Sequence, residues 1–227
     1  MRQDGRMRDT GVHAEPTRRA GGWWTAAFTL AWLGIWTAQL GPVQLILPEQ
    51  VRAITGAVED DWASSVATIL QFGVVAGVAA VCSLIAYPLS GALSDRTTGR
   101  WGRRKPWIAA GGLLFAGSLV LLGMQTTLGG VIACWALVSI GFCALTAALT
   151  AMISDQIPVG QRGFVSGLMY APQGIGVILG VALAAFVFTG ALAGYTALAV
   201  LLVVLLVPFL VIAPDAPLPR ELRPPFT

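Results

Sequence analysis

Charge is what this chain has least of. Only 11% of its 227 residues are Asp, Glu, Lys or Arg, about half the share found in a soluble domain. That is too little polar surface to cover a globule in water. Histidine is nearly absent: the one copy, His13, sits in a polar N-terminal stretch. A serine–histidine protease within the membrane and a histidine-ligated metal are thereby excluded. The three cysteines, Cys82, Cys134 and Cys143, are odd in number and lie inside apolar blocks. They read as small hydrophobes rather than as a disulfide framework or a metal site. No phosphate-cradling Gly-x-x-x-x-Gly-Lys pattern occurs, so the chain carries no ATPase of its own. Asp95 and Asp155 stand at the borders of apolar blocks without the cluster of aspartates that a phosphatidyltransferase needs. The expectation is a protein that is not an enzyme, with no catalytic residues, no cofactor and no metal.

What the chain does have is long uncharged apolar runs. Its residues are 56% hydrophobic and its mean hydropathy is +0.76. A bilayer span needs roughly 20 such residues, and six blocks qualify, at about 23–47, 62–93, 107–125, 129–153, 163–188 and 194–213. Residues 1–22 are polar and Arg-containing and are expected to be disordered. The apolar block after them is too long for a signal peptide and is expected to stay as an anchor. Trp23 and Trp24 suit an interfacial belt. Pro42 is expected to kink the first span or free a carbonyl in it. A short loop at 48–61 follows, with Asp60 or Asp61 capping the second span. The tail, 214–227, is Pro-rich and polar.

The net charge of +3 and pI near 9.1 do not indicate nucleic acid, because the basic residues flank the apolar blocks. By alternation, thirteen Lys and Arg fall on one side: five in the N-terminal segment, five after the second span, Arg162, Arg220 and Arg223. The other side has only Arg52. Positive charge stays in the cytoplasm, so both termini are expected there, as an even number of spans requires.

The loop after the second span is the most informative stretch. It runs Gly91, then Asp95-Arg96 four residues on, then Gly99-Arg100, Gly102-Arg103-Arg104-Lys105-Pro106. A glycine at 91 allows close helix approach. Asp95 sits at a helix C-terminus, where the dipole disfavours an acid, so it needs a cation, and Arg96, Arg100, Arg103 and Arg104 are at hand. After the fourth span, Asp155 is followed by Gln161-Arg162-Gly163.

This loop resembles the signature loop of the major facilitator superfamily, between its second and third helices. The longer Ser-Asp-Arg, insert, Arg-x-Gly-Arg-Arg-Lys-Pro form resembles the glycoside–pentoside–hexuronide cation symporters and sucrose-type carriers. Trp36, Gln39 and the run from Pro42 resemble the first helix of the latter, and Asp155 with Arg162 and Gly163 resembles the superfamily's second cytoplasmic loop. The resemblance implies an all-α fold of six transmembrane helices as two inverted three-helix repeats, the N-terminal half of a twelve-helix transporter. It implies a cytoplasmic gating motif of Gly91, Asp95, Arg96, Gly99, Arg100, Gly102, Arg103 and Arg104. It implies a multi-pass protein of the cell's cytoplasmic membrane that moves a small polar solute, a sugar or glycoside favoured, by alternating access against a second six-helix half. That half would be another copy or a separate chain, alongside the lipid bilayer as surroundings. The tail then reads as the start of a truncated linker between halves, and a non-transporting fragment serving as a membrane assembly module is the alternative.

No charged residue lies in the middle of any block, so this half offers no ion-coupling carboxylate. Neutral polar and aromatic side chains within the blocks do suit hydroxyl-rich solutes. Trp36, Gln39, Gln71, Tyr170 and Gln173 are the cavity candidates, with interhelical hydrogen bonding as the alternative role of each. The fifth block is rich in glycine, with Gly163/Gly167 and Gly176/Gly180 at the spacing that allows helices to approach closely. Gly73/Gly77 repeat that spacing in the second.

Overall fold

The computed structural model describes residues 19–56, 61–98, 101–187 and 190–215. Among these, six helices are long and apolar enough to cross a membrane: α1 (Gly22–Thr55), α2 (Trp62–Asp95), α3 (Lys105–Gly123), α4 (Leu128–Gln156), α5 (Val159–Val187) and α6 (Ala191–Ile212). With no strand among the described residues, the chain is an all-α, multi-pass membrane protein. Most of the segment expected to be disordered, and the tail beyond Asp215, lie outside the described residues.

The first helix corrects the sequence reading, which ended it near 47 and put a loop at 48–61. Pro42 has no amide to give to the preceding turn. The helix absorbs this by widening into a π turn over Pro42–Ile46, closed by the Leu47 N–H on the Pro42 carbonyl. It then resumes as an α-helix over Leu47–Thr55. Pro48 enters that segment near its start, where its fixed φ suits a helix. The stop is Gly56, at φ 67°, whose N–H bonds to the Arg52 carbonyl; the left-handed backbone suits glycine. Asp61 caps α2, accepting the Ala63 and Ser64 amides at 3.3 and 3.1 Å, while Asp60 lies outside the described residues. The fifth helix starts at Val159 rather than 163 and is broken. Pro172 ends its first part after Tyr170, and it resumes at Gln173.

The most extensive helix contacts run in the order α2–α4–α3–α6–α1–α5. This order is unchanged when α1 is exchanged with α4, α2 with α5 and α3 with α6. Neighbours in sequence run in opposite directions, because the end of α2, the start of α3 and the end of α4 meet at one end of the bundle. The two three-helix units are therefore inverted repeats of one another. Helices α2 and α5 stand at the two flanks and are the least buried of the six.

Glycine sets the closest approaches. In α1, Gly34 faces Leu202 and Leu205 of α6, and in α4 the equivalent Gly141 faces Phe115 of α3. Gly41 and Gly180 place α1 and α5 backbone to backbone, such that a Cβ built on Gly180 would lie 2.8 Å from the Gly41 Cα. The Gly73/Gly77 and Gly163/Gly167 pairs differ: a Cβ there would meet nothing within 4 Å. At the far end from Asp95, the buried Gln50 donates to the Leu122 and Gln125 carbonyls at 2.9 and 3.0 Å and accepts the Tyr195 hydroxyl at 3.0 Å. It thus adds a side-chain donor to carbonyls at and just past the end of α3 and ties α1, α3 and α6 together.

A bulky side chain at Gly180 must push α1 and α5 apart. Gly180→Val is expected to lower unfolding stability in detergent by about 1–3 kcal/mol. Gly174→Val, whose Cβ meets nothing within 4 Å, is expected to leave the melting temperature unchanged.

Candidate functional site

Two acids sit at helix C-termini at the same end of the bundle. Asp95 is the last residue of α2 and Asp155 the penultimate residue of α4. Each lies at the negative pole of its helix, so each needs a compensating cation. Arg104, immediately before α3, supplies it to both. Its side chain is 5% exposed. The guanidinium donates from Nη2 to Asp95 Oδ1 at 2.5 Å, from Nε to Asp155 Oδ2 at 2.9 Å and from Nη1 to Ser94 Oγ at 2.6 Å. The planar fork of arginine fits three acceptors at once, which a lysine ammonium on a flexible stem does not. Arg103 adds a half-buried second contact to Asp155, Nη2 to Oδ1 at 2.6 Å. Three helix ends are thus joined around one buried cation.

The other loop residues behave differently. Arg96 follows Asp95 and closes α2 with its N–H on the Leu93 and Ser94 carbonyls. Gly99 and Arg100 lie outside the described residues. Among the described residues, nothing on another element lies within 4 Å of where a Cβ on Gly91 or Gly163 would stand. Arg162 turns away from the cluster: it donates to the Ile157 and Ser154 carbonyls at 2.9 and 3.0 Å, closing the end of α4. Gly102 turns at φ 95° and packs against Asp215.

Ser94 stood in the Ser-Asp-Arg motif without a role, and three residues of this end were given no place in the site by the sequence: Gln156, Pro214 and Asp215. Asp215 accepts the first amides of α3, and Gln156 links Trp24, through its indole N–H at 3.0 Å, to the Pro214 carbonyl. The available signal was a vacancy, since α3 opens on Arg104 and Lys105, neither of which can accept a backbone N–H.

Of the cavity candidates, Trp36 and Tyr170 come together, with ring centroids 6.0 Å apart, and Phe142 and Trp32 lie 6.3 and 5.8 Å from Trp36. The Trp36 indole N–H donates to the Met169 carbonyl at 2.6 Å, in the last turn before the break in α5. Gln173 begins the second part of α5. Gln39 on α1 and Gln71 on α2 make no hydrogen bond to this aromatic group, and their buried amide oxygens take no donor among the described residues. Among the described residues, no group of three or more His, Cys, Asp and Glu is placed to hold a metal.

A family model described as the Major Facilitator Superfamily matches residues 19–226, nearly the whole chain. Among curated proteins, the lactose permease of Lactobacillus delbrueckii subsp. bulgaricus is 48% identical over 44 residues. That stretch is 19% of this chain and only 7% of the permease's length.

Removing the central cation leaves two carboxylates facing each other at helix C-termini. Arg104→Met is expected to cost about 1–3 kcal/mol of stability, the cost of leaving buried acceptors unpaired, because Asp95 stays in contact with water and Asp155 keeps Arg103. Arg103→Met, at a half-exposed contact, is expected to cost under about 1 kcal/mol. Thermal unfolding of the purified variants in detergent separates the two.

Proposed function

The chain belongs to the Major Facilitator Superfamily, whose members are transporters rather than enzymes, and from that premise we propose that it is one six-helix half of a secondary transporter. The observation that carries this reading is the inverted-repeat bundle matched along nearly its full length by the family model. The half works by alternating access, rocking against a second six-helix unit. The low burial of α2 and α5, the least buried of the six, leaves room for such a unit against these flanks.

In this reading the Arg104 cluster is a latch on the cytoplasmic face. It holds the ends of α2, α3 and α4 as one block in one state, and releases them as the opposite face closes. Gly91, Asp95, Arg96, Gly99, Arg100, Gly102 and Arg103, with Asp155, Arg162 and Gly163 on the neighbouring loop, form its surroundings. Trp36, Gln39, Gln71, Tyr170 and Gln173 line the solute path. Amide oxygens without a donor among the described residues, at Gln39 and Gln71, and the rings grouped around Trp36 are side-chain types that suit a solute rich in hydroxyl groups. The sugar-carrier form of the loop and the short stretch shared with a lactose permease support a sugar or glycoside. With no charged side chain in the middle of any span, any ion coupling falls to the second unit.

The test is uptake into proteoliposomes of the purified chain, with radiolabelled lactose, sucrose and pentosides under imposed gradients. At least one sugar is expected to enter faster than into empty liposomes, and Arg104→Met is expected to abolish the difference. No movement of any solute, from a chain that stays monomeric, would favour a membrane assembly module instead. In intact cells, an impermeant maleimide is expected to label Thr126→Cys but not Thr98→Cys, and the reverse pattern would overturn the cytoplasmic placement of the latch.

A further inference from the structure

Asp215 stands just past the end of α6, in the opposite repeat from α2 and α3. Its Oδ2 accepts the backbone N–H of Arg104 at 2.7 Å and that of Lys105 at 2.8 Å. These amides open α3, and a carboxylate is favoured there by both hydrogen bonding and the helix dipole. The slot it occupies is shaped for it: a Cβ on Gly102 would overlap the Asp215 carboxylate. Glycine at 102 therefore supplies both the left-handed turn, at φ 95°, and the space. The stretch before Asp215 is tied down as well, because the Pro214 carbonyl accepts from the Gln156 amide, which also holds the Trp24 indole.

Arg104 is thus gripped twice. Its backbone is held by Asp215, and its guanidinium by Ser94, Asp95 and Asp155. Three hydrogen bonds of 2.5–2.9 Å radiate from one rigid fork, so all three depend on where its Cα stands. A backbone shift of about 1 Å stretches such bonds beyond useful length. We propose that Asp215 is a positioning residue for Arg104: it fixes the start of α3 so that one guanidinium reaches both carboxylates. Through it the chain leaving α6 is mechanically joined to the latch, and displacement of that chain loosens Arg104. This rests on the latch reading only for its meaning in transport; the positioning itself is measurable without any solute.

Hydrogen–deuterium exchange of the full chain in detergent tests it on a segment Asp215 does not touch. In Asp215→Ala, the amides of the last turn of α2, at Ser94 and Asp95, are expected to exchange about fivefold faster or more. Asp215→Asn keeps an acceptor oxygen and is expected to restore slow exchange there. A plain helix cap would alter only the first turn of α3, and that result would overturn the proposal. A thermal-unfolding cycle checks the same point: the drop in melting temperature from Asp215→Ala is expected to shrink by half or more in an Arg104→Ala background, since coupled sites are non-additive. Equal drops in both backgrounds would also overturn it. If Arg104→Ala does not fold, Arg104→Lys takes its place in the cycle. Failure of sugar uptake would leave both readouts unaffected, so the two readings fall separately.

Discussion

One buried guanidinium sets the constraint on which this end of the molecule depends. A charge removed from water is costly unless it is paired and hydrogen-bonded, and an acid at a helix C-terminus is disfavoured by the dipole. Arg104, Asp95 and Asp155 each carry one of these penalties alone and offset them together. Arg104 is the partner buried deepest, so it depends most on the other two, whereas Asp95 keeps contact with water and Asp155 keeps Arg103. An element with two discrete arrangements is what a switching membrane protein requires. The edge of the cluster at Asp95 is half exposed and that at Arg103 partly so, which puts water next to the ion pairs.

The opposite end is held by different chemistry. Gln50, Tyr195 and the last carbonyls of α3 form a neutral, buried clasp. Neutral hydrogen bonds of this kind do not respond to charge or salt as the Arg104 cluster does. The middle of the bundle is held by backbone proximity at glycine, where α1 meets α5 and α3 meets α4. The exchange symmetry of the six helices thus governs their packing, whereas the polar fastenings at the two ends are unequal. Inequality between the ends fits the alternating access proposed for this bundle.

The sequence made the helices legible because scarcity of charge and long apolar runs are properties of composition. It also made Asp95, Arg104 and Asp155 legible, since acids at helix ends and a basic loop each have a local physical reason. It did not reveal the continuation of α1 past Pro42, because proline signals a break and a π turn repairs it through an atom five residues on. Nor did it reveal Asp215. That residue acts on amides 110 and 111 positions earlier, and only the folding of α6 beside α3 brings them together. Trp36 shows the same limit: its type suited a solute, but its indole N–H is engaged by the Met169 carbonyl, in the last turn before the break in α5.

The account turns on Arg104 being fixed between two carboxylates. Nitrogen-15 NMR of protein labelled at arginine, with Arg104 assigned through Arg104→Lys, observes this directly. Restricted rotation is expected to give separate Nη1 and Nη2 signals for Arg104, shifted from those of solvent-exposed arginines, that merge in Asp155→Asn. A single averaged Nη signal in the unmodified protein would contradict the account.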